Sequence, residues 1–138
     1  MQVIIKFIFI LNNLNYIILK NQIQLSKKMQ EILSKLKFNQ DGLIPVIAQE
    51  INTKEILMQA WMNLESLKIT IESGYATYYS RSRQELWQKG KTSGNMQEVV
   101  KITTDCDYDC ILLEVLQTGN ACHTGAKNCF FNKIIKEN

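Results

Sequence analysis

Leu43-Ile-Pro-Val-Ile-Ala-Gln-Glu-Ile51, Asn52-Thr-Lys54 and Glu55-Ile-Leu-Met-Gln-Ala-Trp-Met62 decide the fold class. Two apolar runs of strand length flank three polar residues, and that pattern predicts a β-hairpin. Pro45 lacks an amide donor, so it belongs on an edge or among the first residues of a strand. Upstream, Asn39-Gln-Asp-Gly42 is a turn signal. Downstream, Asn63 is placed to cap a helix whose Leu64, Leu67 and Ile71 share a face, and Gly74 sits where such a helix ends. Tyr75–Arg83 then alternates as a strand, Lys89–Gly94 reads as a loop, and Gln97–Thr104 and Cys110–Leu116 read as further strands. Short strands with one or two short helices predict an α+β single domain dominated by antiparallel sheet.

Composition narrows the function. The 138 residues are 46% hydrophobic with one Pro and six Gly, which excludes collagen-like and wholly disordered chains. No stretch approaches the roughly 20 apolar residues of a spanning helix. The net charge of +3 is unevenly placed. Residues 1–28 carry four Lys and no acid, whereas the remaining 110 hold 12 basic and 13 acidic side chains. The body therefore lacks the broad basic surface that phosphate-backbone binding needs, and nucleic acid is not an expected partner.

Residues 1–28 differ in texture from the rest of the chain. They contain no Gly, Ala, Pro, Asp or Glu, no basic segment ahead of an apolar core and no small-residue cleavage site. At Met29 an amphipathic pattern begins, with Met29, Ile32, Leu33 and Leu36 on one face. The expectation is that residues 1–28 are a leader outside the fold, upstream sequence read in frame, with the domain spanning 29–138. A membrane-surface helix and an organelle-targeting segment are the alternatives. No membrane association is expected for residues 29–138, and the absence of a secretory signal implies a reducing, cytoplasmic setting.

Asp105-Cys-Asp-Tyr-Asp109 is the most unusual segment. As an extended strand it would put Asp105, Asp107 and Asp109 on one face and Cys106 and Tyr108 on the other. Three carboxylates together repel unless a hard cation joins them, and Mg²⁺ or Ca²⁺ fits that role. An EF-hand loop is rejected, because Cys110 stands at its sixth position and Leu116 at its twelfth. The four cysteines, Cys106, Cys110, Cys122 and Cys129, allow three pairings as two disulfides. A domain of this size hardly needs them. Cys122-His123, with Gly125 to turn the loop back and Cys129 beyond, suits a soft metal such as Zn²⁺ with one position left for water. His123, the only histidine, is then the candidate base or proton shuttle.

Arg81 and Arg83 are the only arginines against 14 lysines. Two apart in a strand they share a face, and their rigid forks suit phosphate. Trp87, Lys89 and the Lys91-Thr-Ser-Gly94 loop add an aromatic, cations, hydroxyls and backbone donors, the material of a nucleotide pocket, although the loop lacks the full P-loop pattern.

Taken together, Gly42-Leu-Ile-Pro-Val46, Leu57-Met-Gln-Ala-Trp-Met-Asn63, Tyr78-Tyr-Ser-Arg-Ser-Arg83, Leu86-Trp-Gln-Lys-Gly-Lys-Thr-Ser-Gly94, Asp105–Asp109 and Ala121-Cys-His-Thr-Gly125 with Cys129 resemble the phosphoribosyl-AMP cyclohydrolase family of histidine biosynthesis. The resemblance covers about residues 40–131 and not the leader. It implies zinc-dependent hydrolytic opening of the adenine ring of phosphoribosyl-AMP at N1–C6 in an interlocked homodimer. It also implies Mg²⁺ on Asp105, Asp107 and Asp109, and Zn²⁺ on Cys106, Cys122 and Cys129, with Cys106 supplied across the interface. Arg81, Arg83, Trp87, Lys89, Ser93 and Gly94 would hold the substrate, and His123 would activate water or relay the proton to N1. Asn95 departs from the many members that carry His there, which leaves His123 as the catalytic imidazole. A non-catalytic zinc module is the competing reading. Zinc nucleoside deaminases are disfavoured, because their H-x-E and P-C-x-x-C pairs are absent. With seven residues after the last motif-bearing stretch, a fused pyrophosphohydrolase domain is not expected.

Overall fold

A computed structural model describes residues 2–135. It divides into two compact units, residues 1–36 and residues 37–138. In the first, a helix, α1 (Gln2–Lys35), runs without a break through Met29. Apolar side chains along it, including Leu14, Ile18 and Leu25, are exposed, and Leu33 is half-buried. No helix among the described residues is long and apolar enough to cross a membrane.

The second unit begins with the hairpin read from the sequence. β1 (Ile44–Glu50) and β2 (Ile56–Met62) pair antiparallel, with a bulge at Ala48/Gln49. Lys54 closes the turn at a φ of 60°, its amide donating to the Glu50 carbonyl. Helix α2 (Leu64–Ser73) comes immediately after β2. The Asn63 side chain accepts from the Ser66 amide while the Ser66 hydroxyl accepts from the Asn63 amide, so two orphan donors are satisfied reciprocally. Gly74 ends the helix in the left-handed region, its amide donating to the Thr70 carbonyl. The expected apolar face is corrected here. Leu64 is exposed, and the buried side is Ser66, Leu67 and Thr70. Burial of these hydroxyls is tolerated because the Thr70 hydroxyl bonds the Ser66 carbonyl and accepts the Thr77 amide.

Where one strand was expected over Tyr75–Arg83, the chain forms a second, two-stranded sheet. β3 (Thr77–Ser80) and β4 (Glu85–Gln88) are joined by a turn at 81–84. Ser80 Oγ accepts the Arg83 amide and Gln84 takes a φ of 52°, which turns the chain back before the alternation can extend. β5 (Gln97–Thr104) and β6 (Ile111–Gln117) complete the larger sheet, whose order is β2-β1-β6-β5. β1 and β6 run parallel and the other pairs are antiparallel. The unit is therefore a mixed α+β fold leaning to antiparallel sheet. Pro45 lies in a central strand, yet the β1–β6 ladder begins only at Val46, so its missing donor is not needed.

Alternation along β1 and β6 supplies the core. Ile44, Val46 and Ala48 face Ile111, Leu113 and Val115, with Leu57, Met62, Leu67 and Tyr78 packed against them. Each large aliphatic buried this way contributes about 1.5–3 kcal/mol relative to exposure. On the opposite face of β6, Glu114 is clamped between Lys54 at 2.7 Å and Lys101 at 3.3 Å. Both ammonium groups hold its carboxyl below the ordinary value.

Candidate functional site

The acidic segment is a turn, not a strand. Residues 105–110 link β5 to β6, and the Asp105 carboxylate accepts the amides of Asp109 at 3.0 Å and Cys110 at 3.2 Å. Tyr108 sits at a φ of 67°. The expected alternation of faces is corrected accordingly, because these bonds curl the backbone around the Asp105 side chain. The three carboxylates nevertheless converge, with ligand oxygens all within 4.8 Å of one another and exposed. At Asp105, desolvation opposes ionisation, but the Cys110 and Asp109 donors outweigh it and hold the carboxyl below its usual range. Asp109 is pushed up by the hydrogen bond it shares with Asp105 and by the charge of Asp107. Hard oxygens already opposing one another in this way are a donor set that a divalent cation would relieve.

The cysteine loop lies beyond β6. Ala121 and Cys122 amides donate to the Lys127 and Ala126 carbonyls, and Gly125 turns the chain at a φ of 88°. The Cys129 amide donates to the Leu57 carbonyl of β2 at 2.8 Å, which ties the end of the loop to the sheet. Cys122 and Cys129 come close enough for each to influence the other's ionisation. The Thr124 hydroxyl donates to Cys122 Sγ at 3.0 Å. That bond, the Thr124 amide, Cys129 and the Lys89 ammonium hold the Cys122 thiol below its ordinary value. Burial, and then the neighbouring Cys122, push Cys129 up. The result is two neighbouring sulfurs, of which Cys122 is the more readily ionised, a donor pair suited to a soft cation. Cys106, in the turn that precedes β6, does not join the pair to make a three-ligand group among the described residues. Its sulfur instead lies 3.9 Å from Asp107 Oδ1. His123 is adjacent to Cys122 and exposed, and Cys110 is half-buried.

A cleft of about 560 Å³ opens along β4 and the turn after it. Of the residues expected to hold substrate, Arg83, Trp87, Lys89 and Ser93 line it. Arg81 does not, and the shared strand face expected for the two arginines is corrected, since both lie in the β3–β4 turn. Arg81 stacks over Trp61, 4.7 Å from its ring centroid, while Arg83 Nε pairs with Glu85 at 3.3 Å. Gly94 lies just beyond the cleft wall, its amide closing the turn onto the Gly90 carbonyl at 2.8 Å. A Cβ at Gly90 would collide with the Asn95 carbonyl, so only glycine fits. Trp87 is steadied by Tyr78, with centroids 5.3 Å apart. Lys89 is 8% exposed. Burial pushes its ammonium below its ordinary value, opposed by the neighbouring Cys129 and Cys122, so this side chain joins the cleft to the thiol pair. Lys91, Thr92 and Glu85 also line the cleft, and Thr124 supports Cys122. From sequence, Lys91 and Thr92 were expected as part of a loop offering cations, hydroxyls and backbone donors to a nucleotide, and Glu85 and Thr124 were not expected in the site. For Thr124, its place two residues after Cys122 was a visible signal.

Residues 58–131 match the family described as phosphoribosyl-AMP cyclohydrolase. The chain is 54% identical over 99 residues to the phosphoribosyl-AMP cyclohydrolase of Archaeoglobus fulgidus, covering 72% of this chain and 92% of that protein. It is 51% identical over 106 residues to the Acidiphilium cryptum protein of the same name, with 77% and 91% covered. The Micrococcus luteus protein of that name is 55% identical over 105 residues, with 76% and 83% covered.

Proposed function

The chain belongs to the phosphoribosyl-AMP cyclohydrolase family of hydrolases, and we propose that it opens the adenine ring of 1-(5-phosphoribosyl)-AMP by adding water across N1–C6. The product is the formimino-aminoimidazole carboxamide ribonucleotide of the third step of L-histidine biosynthesis. The observation that carries this reading is the Cys122–Cys129 pair, joined through buried Lys89 to a cleft lined with cations, hydroxyls and Trp87.

Cys122 and Cys129 would hold Zn²⁺ from this chain. Cys106 forms no three-ligand group with them among the described residues, and in a homodimer the third thiolate would be Cys106 of the partner subunit. Asp105, Asp107 and Asp109 would hold Mg²⁺, which favours oxygen donors and substrate phosphate. Zinc, when bound, supplies Lewis acidity that lowers the pKa of water to about 7. The remaining work falls to side chains of the protein. Water adds to C6, the C6–N1 bond breaks, and N1 must gain a proton as it leaves. His123, beside Cys122, takes the proton from water or delivers it to N1. Trp87, Arg83, Lys89 and Ser93 orient the nucleotide, while Arg81 acts indirectly by bracing the β3–β4 turn on Trp61. The free thiols suit a reducing cytoplasm.

The test is turnover of phosphoribosyl-AMP by the full chain with Zn²⁺ and Mg²⁺, monitored by the ultraviolet change of ring opening. Zinc chelation and Cys122→Ser should each abolish it. Turnover that survives Cys122→Ser, or none in folded, zinc-loaded protein, would overturn the reading.

A further inference from the structure

Phosphoribosyl-AMP carries two phosphate monoesters, one on each ribose, and the chain offers two chemically different places for them. The aspartate turn is wholly acidic and takes phosphate only through a bound cation. The turn from Gly90 to Gly94 is the opposite kind of surface. Within it the Lys91 amide donates to the Gln88 carbonyl at 3.2 Å and the Gly94 amide to the Gly90 carbonyl at 2.8 Å. Among the described residues, the intervening amides of Thr92 and Ser93 have no acceptor. Successive free amides in a tight turn form an anion-binding concavity. The side chains of Lys91, Thr92 and Ser93 border the same cleft.

A second, independent feature points the same way. Lys89 lines this cleft, is more than nine-tenths buried, and has no hydrogen-bond or ion-pair partner among the described residues. The Cys122 and Cys129 sulfurs are its charged neighbours, but no oxygen acceptor among the described residues hydrogen-bonds it, although buried ammonium groups are ordinarily satisfied in that way. Its ammonium lies over the face of Trp87, 6.0 Å from the ring centroid. Arg83 enters the cleft with its Nε already committed to Glu85, leaving its other nitrogens as donors.

We propose that the Gly90–Gly94 turn with Lys89 and Lys91 binds one phosphate monoester of the substrate directly, without Mg²⁺, leaving only the other phosphate to the metal held by the aspartates. This proposal rests on the substrate assigned above. It divides the phosphate work between two mechanisms, one direct and one through the metal, and it gives Lys91 and Thr92 a specific role in holding phosphate. The bound phosphate would lie beside Trp87, with Lys89 spanning it and the thiol pair.

The experiment tracks the Thr92 and Ser93 amide resonances in zinc-loaded full-length protein with no Mg²⁺ present. AMP and ribose 5-phosphate should shift both resonances, and adenosine should not. Lys91→Gln should weaken AMP binding about tenfold, the scale of one charge-assisted hydrogen bond, with unchanged thermal melting. In turnover assays the same substitution should raise KM while kcat falls less than about twofold, the mark of binding lost equally in ground and transition states. Adenosine binding as tightly as AMP, a Mg²⁺ requirement for AMP, or an unchanged affinity in Lys91→Gln would overturn the proposal. Phosphate binding without turnover would leave it standing and count against the assigned reaction instead. Ribose 5-phosphate binding with AMP excluded would assign the site to the phosphoribosyl end.

Discussion

The Thr124 hydroxyl donates a hydrogen bond to the Cys122 sulfur at 3.0 Å, and it is the largest influence holding that thiol below its ordinary pKa. Thr124→Val keeps the shape and removes the donor. The thiol should then titrate at higher pH, so the midpoint of iodoacetamide labelling in metal-free protein moves upward. Zinc affinity should fall by about 10–100-fold, as expected when an outer partner of a ligand is lost. An unmoved labelling midpoint would show that Cys129 and Lys89 suffice.

Glu114 gives the sheet a pH dependence. Its carboxyl is depressed in the folded chain by Lys54 and Lys101, so its stabilising contribution is present above the unfolded value, ordinarily about 4.3. It is lost as pH falls through the lower folded value. Glu114→Gln should therefore melt earlier than the native chain at pH 7, and the gap should narrow steadily as the pH is lowered towards 3. A gap independent of pH would mean that packing, not charge, is what the substitution removes.

Gly90 and Gly119 separate two kinds of close approach. A Cβ at Gly90 would strike the Asn95 carbonyl and the Met96 amide, which are backbone and cannot yield. Gly90→Ala should cost several times the roughly 1–2 kcal/mol of left-handed strain alone and distort the cleft wall. At Gly119 the obstacle is the Asn95 side chain, which can swing aside. Gly119→Ala should be milder in denaturant melts, and milder still in an Asn95→Ala background.

Magnesium should stabilise the folded chain by mass action if the aspartate turn holds it. The expected result is a melting temperature that rises with millimolar Mg²⁺ in the native protein and is flat in Asp107→Asn. Asp105→Ala should be destabilising even without metal, because the Asp109 and Cys110 amides lose their acceptor. A Mg²⁺ response that persists in both variants would move the cation elsewhere.

Much of the architecture was legible because its signals are local. The hairpin of β1 and β2, the Asn63 cap, the Gly74 stop and the strand Gln97–Thr104 each rest on neighbours within a few residues. The β3–β4 hairpin was not legible, since Arg81–Gln84 contains no Gly, Pro or Asn to mark a turn, and alternation runs on through it. What bends the chain there is the Ser80 hydroxyl and a positive φ at Gln84.

The candidate site divides along the same line. Residue types alone determined the chemistry on offer: three carboxylates for a hard cation, thiols beside a single histidine for a soft one, and a Lys-Thr-Ser-Gly loop for an anion. Their spacing was also enough to carry the family resemblance. Which of them meet was decided only by tertiary structure. Arg81 and Arg83 are two residues apart yet part company, one onto Trp61 and one into the cleft. Cys122 and Cys129 converge because Cys129 is anchored to β2, while Cys106 is held in the turn before β6. Lys89 becomes the link between cleft and thiols through burial, a property that depends on every segment packed around it and that no local pattern encodes.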